Sequence, residues 1–382
     1  MNLINRMLGN SKKQEKIPEI AIAHDYLTQR GGAERVVLAL HHAFPEATIY
    51  TTLYDPEKTY PDFKNCKVIT SPLNRISLFR KDHRLALPFL PLFSSFLHPK
   101  ADIVIASSTG WAHGFNLPKK TLVYCHSPAR WIYLTDQYLG DSANPLISVA
   151  LRALRPFLLF WDQRAAAKQP NYVANSTTIK DRIHNVYEKT VDIVYPPFSV
   201  KEDGEHAKIK GLEEFMDQGY YLIVSRLLPY KNIQHAVKAF SGSNKQLLII
   251  GAGPMKEDLK AISDSNIAFA SHISDAQMRY AYANSIALLA ISHEDFGITP
   301  LEGGAFGKPT IALKAGGFLD TIVEGVNGTF IEAPTAELIR QAVDRFTPED
   351  FDPFAIKEYV QKFSEERFIA EIKGKIESLQ DY

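Results

Sequence analysis

The run Glu294-Asp295-Phe296-Gly297-Ile298-Thr299-Pro300-Leu301-Glu302 decides how this chain is read. It follows an apolar, strand-like segment, residues 285–291, and leads into a short helix. Two carboxylates therefore flank a glycine-containing turn at the C-terminal end of a strand, where open α/β sheets bind their ligands. Carboxylates are pure acceptors, and a sugar presents hydroxyl donors at fixed angles. A plainer reading exists. Thr299-x-x-Glu302 with Pro300 at the first helical position is a capping box in its own right. Taken alone, Glu302 is better explained that way, and Glu294 is an ordinary loop acid. The rest of the chain has to decide.

Outward from that run, strand-like and helix-like segments alternate. Residues 20–23, 47–53, 67–70, 103–107, 121–125, 172–174 and 191–195 read as strands of a first series, with an amphipathic helix over 33–44. Pro196-Pro197 stops the regular structure, and the charged, turn-rich residues 201–210 suit a linker. A second series reads as strands at 221–225, 246–250, 267–270, 285–291 and 310–313. Such alternation predicts parallel sheets covered by helices. The expected fold is α/β, with two doubly wound, Rossmann-like domains facing a cleft. The expected division is a loose leader over 1–17, a first domain over 18–197, a second over 198–363, and a closing helix over 364–382. That helix carries Phe368, Ile372, Ile376 and Leu379 on one face, and the first domain is a candidate for what it packs against.

Composition narrows the function. The chain has 382 residues, room for two ordinary domains. Its 43 Lys and Arg balance 43 Asp and Glu, and a nucleic-acid binder would need a basic surplus. Cys66 and Cys125 are the only cysteines, so there is neither a disulfide framework nor a cysteine-rich metal site. The first residues are polar and do not read as a signal peptide. No apolar run is long enough to span a bilayer. The expectation is a cytosolic protein, able to work at a membrane surface.

Several groups could carry chemistry. Gly31-Gly32 lies between a strand and a helix, where backbone can approach a phosphate, although a plain turn and helix start explain the pair better on their own. Arg226 and Lys231 follow the strand at 221–225; two cations there could neutralise a departing diphosphate, or be solvated loop residues. Gly251-Ala252-Gly253-Pro254 is only half of a dinucleotide fingerprint, which argues against a dehydrogenase. His126, at a strand end before Ser127-Pro128, stands ahead of His24 as the histidine to consider. Asp350-Phe351-Asp352 matches a D-x-D metal pattern, but Asp352 before Pro353 reads better as a helix N-cap, and no metal is assigned. Residues 75–97 and 145–161 combine Arg and Lys with Leu, Phe and Trp. Cations beside an apolar face suit an anionic membrane or a lipid diphosphate, and Pro88 and Pro91 make residues 75–97 a poor core helix. Buried core is at least as good a reading for 145–161.

Taken in order, these pieces resemble the retaining family-4 glycosyltransferases of the GT-B fold, among them bacterial exopolysaccharide and O-antigen mannosyltransferases. The resemblance spans nearly the whole chain and rests on the E-x7-E run with its Arg/Lys pair. It implies that Gly31 and Gly32 belong to a glycine loop near the donor phosphates. It implies that Cys125-His126-Ser127-Pro128 carries the active-site His126, and that Arg226 and Lys231 bind the diphosphate. Glu294 would contact the transferred sugar and Glu302 the nucleotide ribose. Phe296, Gly297 and Ile298 would bring their backbone to the donor. Leu227-Leu228-Pro229-Tyr230 departs from the acidic residue and glycine common there, but leaves Lys231 in place. The implied reaction is a retaining, metal-free transfer from a nucleotide-sugar, GDP-mannose by overall likeness, with UDP-sugars as the alternative donors and a GT-B epimerase as the alternative enzyme. The implied acceptor is a polyprenyl-diphosphate-linked saccharide, met at the inner face of the cell membrane.

Overall fold

The computed structural model describes residues 18–135 and 145–380; the leader, 1–17, lies outside them. Two parallel sheets account for the alternation. The first contains β1 (Ile20–His24), β2 (Thr48–Thr51), β3 (Val68–Thr70), β4 (Ile103–Ser108), β5 (Thr121–Cys125), β6 (Asn171–Ala174) and β7 (Asp192–Ile193), in the order β3-β2-β1-β4-β5-β6-β7. The second contains β8 (Tyr220–Val224), β9 (Leu247–Ile250), β10 (Ile267–Ala270), β11 (Ser285–Ala290), β12 (Thr310–Leu313) and β13 (Gly328–Ile331), in the order β10-β9-β8-β11-β12-β13. Every pairing is parallel. The strands are short and apolar because helices cover both faces, and a parallel sheet buried on both sides needs no polar alternation.

Both sheets reverse direction once. In the first, β1 and β4 are neighbours but the chain leaves them towards opposite edges; in the second, β8 and β11 stand in that relation. A crevice opens at such a point, outside the carboxyl ends of the strands. The loops that carry the conspicuous residues of the sequence emerge there.

Each sheet has an apolar cluster on either face. Ile22, Val37, Leu40, Ile105 and Tyr124 belong to one side of the first sheet, and Ala23, Val104, Val123 and Ile179 to the other. The final helix, Glu365–Gln380, crosses back from the second domain to the first. Its Phe368, Ile372, Ile376 and Leu379 join the cluster around Tyr124, and the Phe368 ring meets Tyr124 edge-on at 5.6 Å. The joint between the domains is a separate aromatic cluster of Tyr195, Phe198, Phe296, Tyr359 and Phe363.

Residues 72–94 form a string of short helices, Pro72–Arg75, Ser77–Lys81, His83–Phe89 and Leu90–Ser94, as a proline-interrupted stretch must. They share a sub-core with the long helix Pro145–Lys168 through Leu73, Phe79, Leu87, Leu90, Leu151 and Leu158. Both segments are thus half core and half surface. Asp352 caps the helix Pro353–Val360, its carboxylate accepting from Phe354 N at 2.9 Å.

The return of the last helix has a measurable consequence. Phe368 is 2% exposed. Phe368→Ala removes a ring that the surrounding sheet cannot replace, and a loss of about 3 kcal/mol is expected. Urea unfolding, followed by a probe in the first domain, should show that loss there.

Candidate active site

At the second crevice Lys231, in the turn Pro229–Lys231 beyond β8, meets Glu294, beyond β11. Lys231 Nζ donates to Glu294 Oε1, and the Ser292 hydroxyl donates to the same oxygen. The Lys231 side chain is 10% exposed and that of Glu294 25%. Removing either partner would leave the other charge poorly solvated, so the pair is interdependent. Lys231 also lies 5.0 Å from the centre of the Tyr230 ring. Arg226 is not part of the pair: it is exposed, and its guanidinium donates to Tyr230 Oη at 2.9 Å. The Gly251-Ala252-Gly253 turn supports this loop, with Leu227 N donating to Ala252 O at 2.9 Å.

The loop after Glu294 is fixed by close backbone packing. Gly297 has φ +82°, and a Cβ there would lie 2.4 Å from the Phe318 ring. Gly317 packs against Phe296 so closely that a Cβ would lie 2.2 Å from its Cα, while Gly317 N donates to Glu294 O at 2.8 Å. Only glycine fits either position. The Phe296 side chain is buried in the domain joint, stacked on Tyr195 with ring centres 5.8 Å apart. What Phe296 and Gly297 can offer a ligand is therefore backbone.

Glu302 does not build the capping box its sequence allowed. The helix Thr299–Ala305 has Ile298 as N-cap with no side-chain cap. The Glu302 carboxylate instead accepts from Tyr282 Oη at 2.7 Å, and Arg35 of the first domain lies 3.7 Å from its other oxygen. Burial lifts the Glu302 pKa above its ordinary value, opposed by Arg35 and Tyr282. Arg35 sits one turn into the helix Gly32–Ala43, whose N-cap is Gly31. Glu34, 1% exposed, lies beneath that glycine pair, and burial pushes its carboxyl up to about 7.

The first crevice holds a buried polar chain. Ser107 Oγ, on β4, lies 2.8 Å from His126 Nε2 and 3.1 Å from His24 Nδ1. These residues end or follow the neighbouring strands β4, β5 and β1. Burial, with a contribution from His24, pushes the His126 pKa down to about 3, so the imidazole is neutral. Asp25, next to His24, accepts from the backbone of Thr109, Trp111 and Ala112 and pins the loop after β4. Ser107 and Asp25 are missed by motif reading, and His24 is ranked only behind His126, because their meaning lies in neighbouring strands, not neighbouring positions.

The two crevices face each other. Asp295 pairs with Arg130 and Arg182, and its carbonyl accepts from Ser176 Oγ at 2.5 Å. Asp320 accepts from Thr177 N at 2.9 Å and from Tyr195 Oη at 3.3 Å. All of these first-domain partners lie beyond the carboxyl ends of β5, β6 or β7. Among the described residues no cluster of three His, Cys, Asp or Glu has the form of a metal site.

Comparisons with known proteins agree with the fold. Residues 30–202 match the profile of Glycosyltransferase Family 4, and residues 205–363 that of Glycosyl transferases group 1. The chain is 25% identical to the alpha-1,3/1,6-mannosyltransferase ALG2 of Dictyostelium discoideum, over 87% of this chain and 90% of the relative. It is 28% identical to the D-rhamnosyltransferase WbpZ of Pseudomonas aeruginosa over 51% of this chain, and spans 53% of that relative's length. It is 29% identical to O-antigen chain mannosyltransferase C of Escherichia coli over 39% of this chain and 41% of the relative. Among solved structures, sucrose-phosphate synthase from Thermosynechococcus elongatus superposes with a TM-score of 0.69 at 17% identity, over 95% of this chain and 99% of that one. Anabaena HepE, solved with UDP-glucose, gives 0.66 at 16% identity, over 94% and 100%. At such identities the likeness is one of fold, and chemistry has to be argued from the site.

The buried imidazole makes a pH prediction. The folded pKa of about 3 lies below the ordinary 6.5, so between the two the unfolded chain binds a proton that the folded chain refuses. Stability from this group is complete above the unfolded pKa and drains away as the pH falls towards the folded one, at about 1.4 kcal/mol per pH unit. His126→Asn should flatten the fall in unfolding free energy between about pH 6 and pH 4 by roughly one proton's worth. Urea titrations across that range test it.

Proposed function

Because the chain belongs to the glycosyltransferases of the GT-B fold, with a Family 4 unit followed by a group 1 unit, we propose that it is a retaining mannosyltransferase moving mannose from GDP-mannose to a lipid-linked saccharide. The observation that carries the reading is the Lys231–Glu294 pair at the second crevice, opposite an arginine-bearing edge of the first domain. An ammonium and a carboxylate in contact suit a ligand that carries a phosphate beside a hydroxyl-bearing ring. The names of the full-length ALG2 relative and of the O-antigen relative favour mannose.

In this reading Arg226 and Lys231 take the charge of the departing diphosphate, without a metal ion. Lys231 has three donors, so its bond to Glu294 leaves two for phosphate oxygens. Glu294 accepts from the sugar hydroxyls, and Glu302, oriented by Tyr282, accepts from the ribose. The bond from the anomeric carbon to the phosphate oxygen breaks, the bond to the acceptor oxygen forms on the same face, and the acceptor proton passes to the leaving phosphate. Neutral His126 offers the developing positive charge a dipole rather than a repelling cation. Donors and charges already aimed at the diphosphate supply most of the rate.

A lipid-linked acceptor requires access to a membrane. The short helices of residues 72–94, the turn that follows them and the helix Pro145–Lys168 expose Leu78, Leu92, Phe96, Phe157 and Phe160, each more than half accessible. Arg75 and Lys81 are exposed beside the first group. Among the described residues no helix is long and apolar enough to cross a membrane. Apolar side chains among cations fit the interface of an anionic bilayer.

Two measurements bear on this reading. With GDP-mannose, UDP-glucose and UDP-galactose offered in excess chelator, GDP-mannose should raise the melting temperature most and alone support transfer. Lys231→Ala and Glu294→Ala should each lower turnover by about a thousandfold while melting cooperatively. Preference for a UDP-sugar would replace the donor, and near-normal turnover in either variant would remove the site. Separately, the protein should sediment with anionic but not neutral vesicles and be released by salt, since each cation contributes on the order of 1 kcal/mol. Leu92→Ser with Phe157→Ser and Phe160→Ser should abolish sedimentation and leave donor binding intact. Wild-type indifference to anionic vesicles would point to a soluble acceptor.

A further inference from the structure

Asp295 separates Glu294 from Phe296, yet its side chain points out of its own domain. Oδ1 pairs with Arg182 Nη1 at 3.0 Å and Oδ2 with Arg130 Nη2. The Arg182 and Asp295 side chains are 15% and 14% exposed. The Asp295 carbonyl accepts from Ser176 Oγ, the N-cap of the helix Thr177–Tyr187, which also carries Arg182. Three first-domain residues thus converge on one residue of the second domain. Arg182 goes further: the same Nη1 donates to Ser127 Oγ at 2.7 Å, and Ser127 directly follows His126. A continuous path therefore runs from the His126 loop through Ser127, Arg182 and Asp295 to Glu294 and Lys231.

We propose that Asp295 is a positioning residue, a clasp that sets the Glu294 loop of the second domain against the His126 loop of the first. The inference rests on the reading of Glu294 as the group that holds the donor sugar. The argument is one of charge and geometry. Two arginines hold both carboxylate oxygens, which fixes the carboxylate in direction as well as distance. A partly buried carboxylate left without them, one residue from Glu294, would place two acids side by side. The clasp can form only when the carboxyl ends of the two sheets are apposed. In the proposed reading the nucleotide is held chiefly by second-domain groups, Arg226, Lys231 and Glu302, whereas transfer needs both loops in register. Loss of the clasp should therefore act on turnover and spare nucleotide affinity.

The test uses the full-length enzyme with Asp295→Asn, Arg182→Gln, Arg130→Gln and the double variant Asp295→Asn/Arg182→Gln. Turnover should fall about 100-fold in Asp295→Asn and in Arg182→Gln, the scale of a misplaced reacting geometry. GDP affinity should stay within about twofold. The double variant should be no worse than the weaker single one, because both remove one link. Spin labels at exposed Lys119 and Lys260, one in each domain, should show a broader distance distribution in the variants. Full turnover in Asp295→Asn, additive losses in the double variant, or GDP affinity falling in step with turnover would each overturn the inference. Should Asp295→Asn fail to melt cooperatively, the two arginine variants carry the same test from the other domain. A Glu294→Gln enzyme of normal activity would instead sink the underlying site assignment, whatever the Asp295 result.

Discussion

Lys231 and Glu294 are 63 positions apart and touch because β8 and β11 are neighbours in a parallel sheet. The rest of the structure follows from that adjacency. A parallel sheet needs crossovers, the crossovers leave in opposite directions from the middle, and the point of reversal cannot be covered by a helix. Polar groups that emerge there are shielded on three sides and open on one. A lysine and a carboxylate in such a place hold each other until a ligand offers both something better. The first domain repeats the device between β1 and β4, with a neutral chain of His24, Ser107 and His126 in place of the charges.

The division of labour follows from the difference between those two chains. The first-domain imidazole is buried and uncharged. In the proposed reaction it would supply shape and dipole, with no charge to repel a developing oxocarbenium ion. The second domain supplies the formal charge. Asp295, Asp320 and Arg35 then bring the two edges together through ion pairs and hydrogen bonds, beside the aromatic cluster of Tyr195, Phe296 and Phe363 at the joint. Relative motion of two domains joined through a largely polar edge is the ordinary expectation, and the proposed reaction would need the cleft to open for its substrates.

Much of this was legible in the sequence because the signals were local. Short apolar runs spaced by helical patterns gave both sheets, although β13 was overlooked: Gly328-Thr329-Phe330-Ile331 is four residues long and starts with a glycine. Glu294, Lys231 and Glu302 could be found because each follows a strand end. The partners of those residues could not. Tyr282 and Arg35 reach Glu302 from another helix and another domain, and Ser107 is an unremarkable serine until β4 stands beside β5. Asp295 lay within the deciding run itself, but only the arginines of the opposite domain give it a meaning. The capping-box reading of Glu302 failed for a related reason, since a buried hydroxyl and a cross-domain cation competed successfully with the local backbone.

The central claim is that the Lys231–Glu294 pair is where the nucleotide-sugar is held. The most direct measurement is a crystal structure of the enzyme with intact GDP-mannose bound in the absence of acceptor. The account predicts the diphosphate within hydrogen-bonding distance of Lys231 and Arg226, the sugar hydroxyls on Glu294, and the ribose on Glu302. Donor density elsewhere, with the Lys231–Glu294 contact undisturbed, would contradict it.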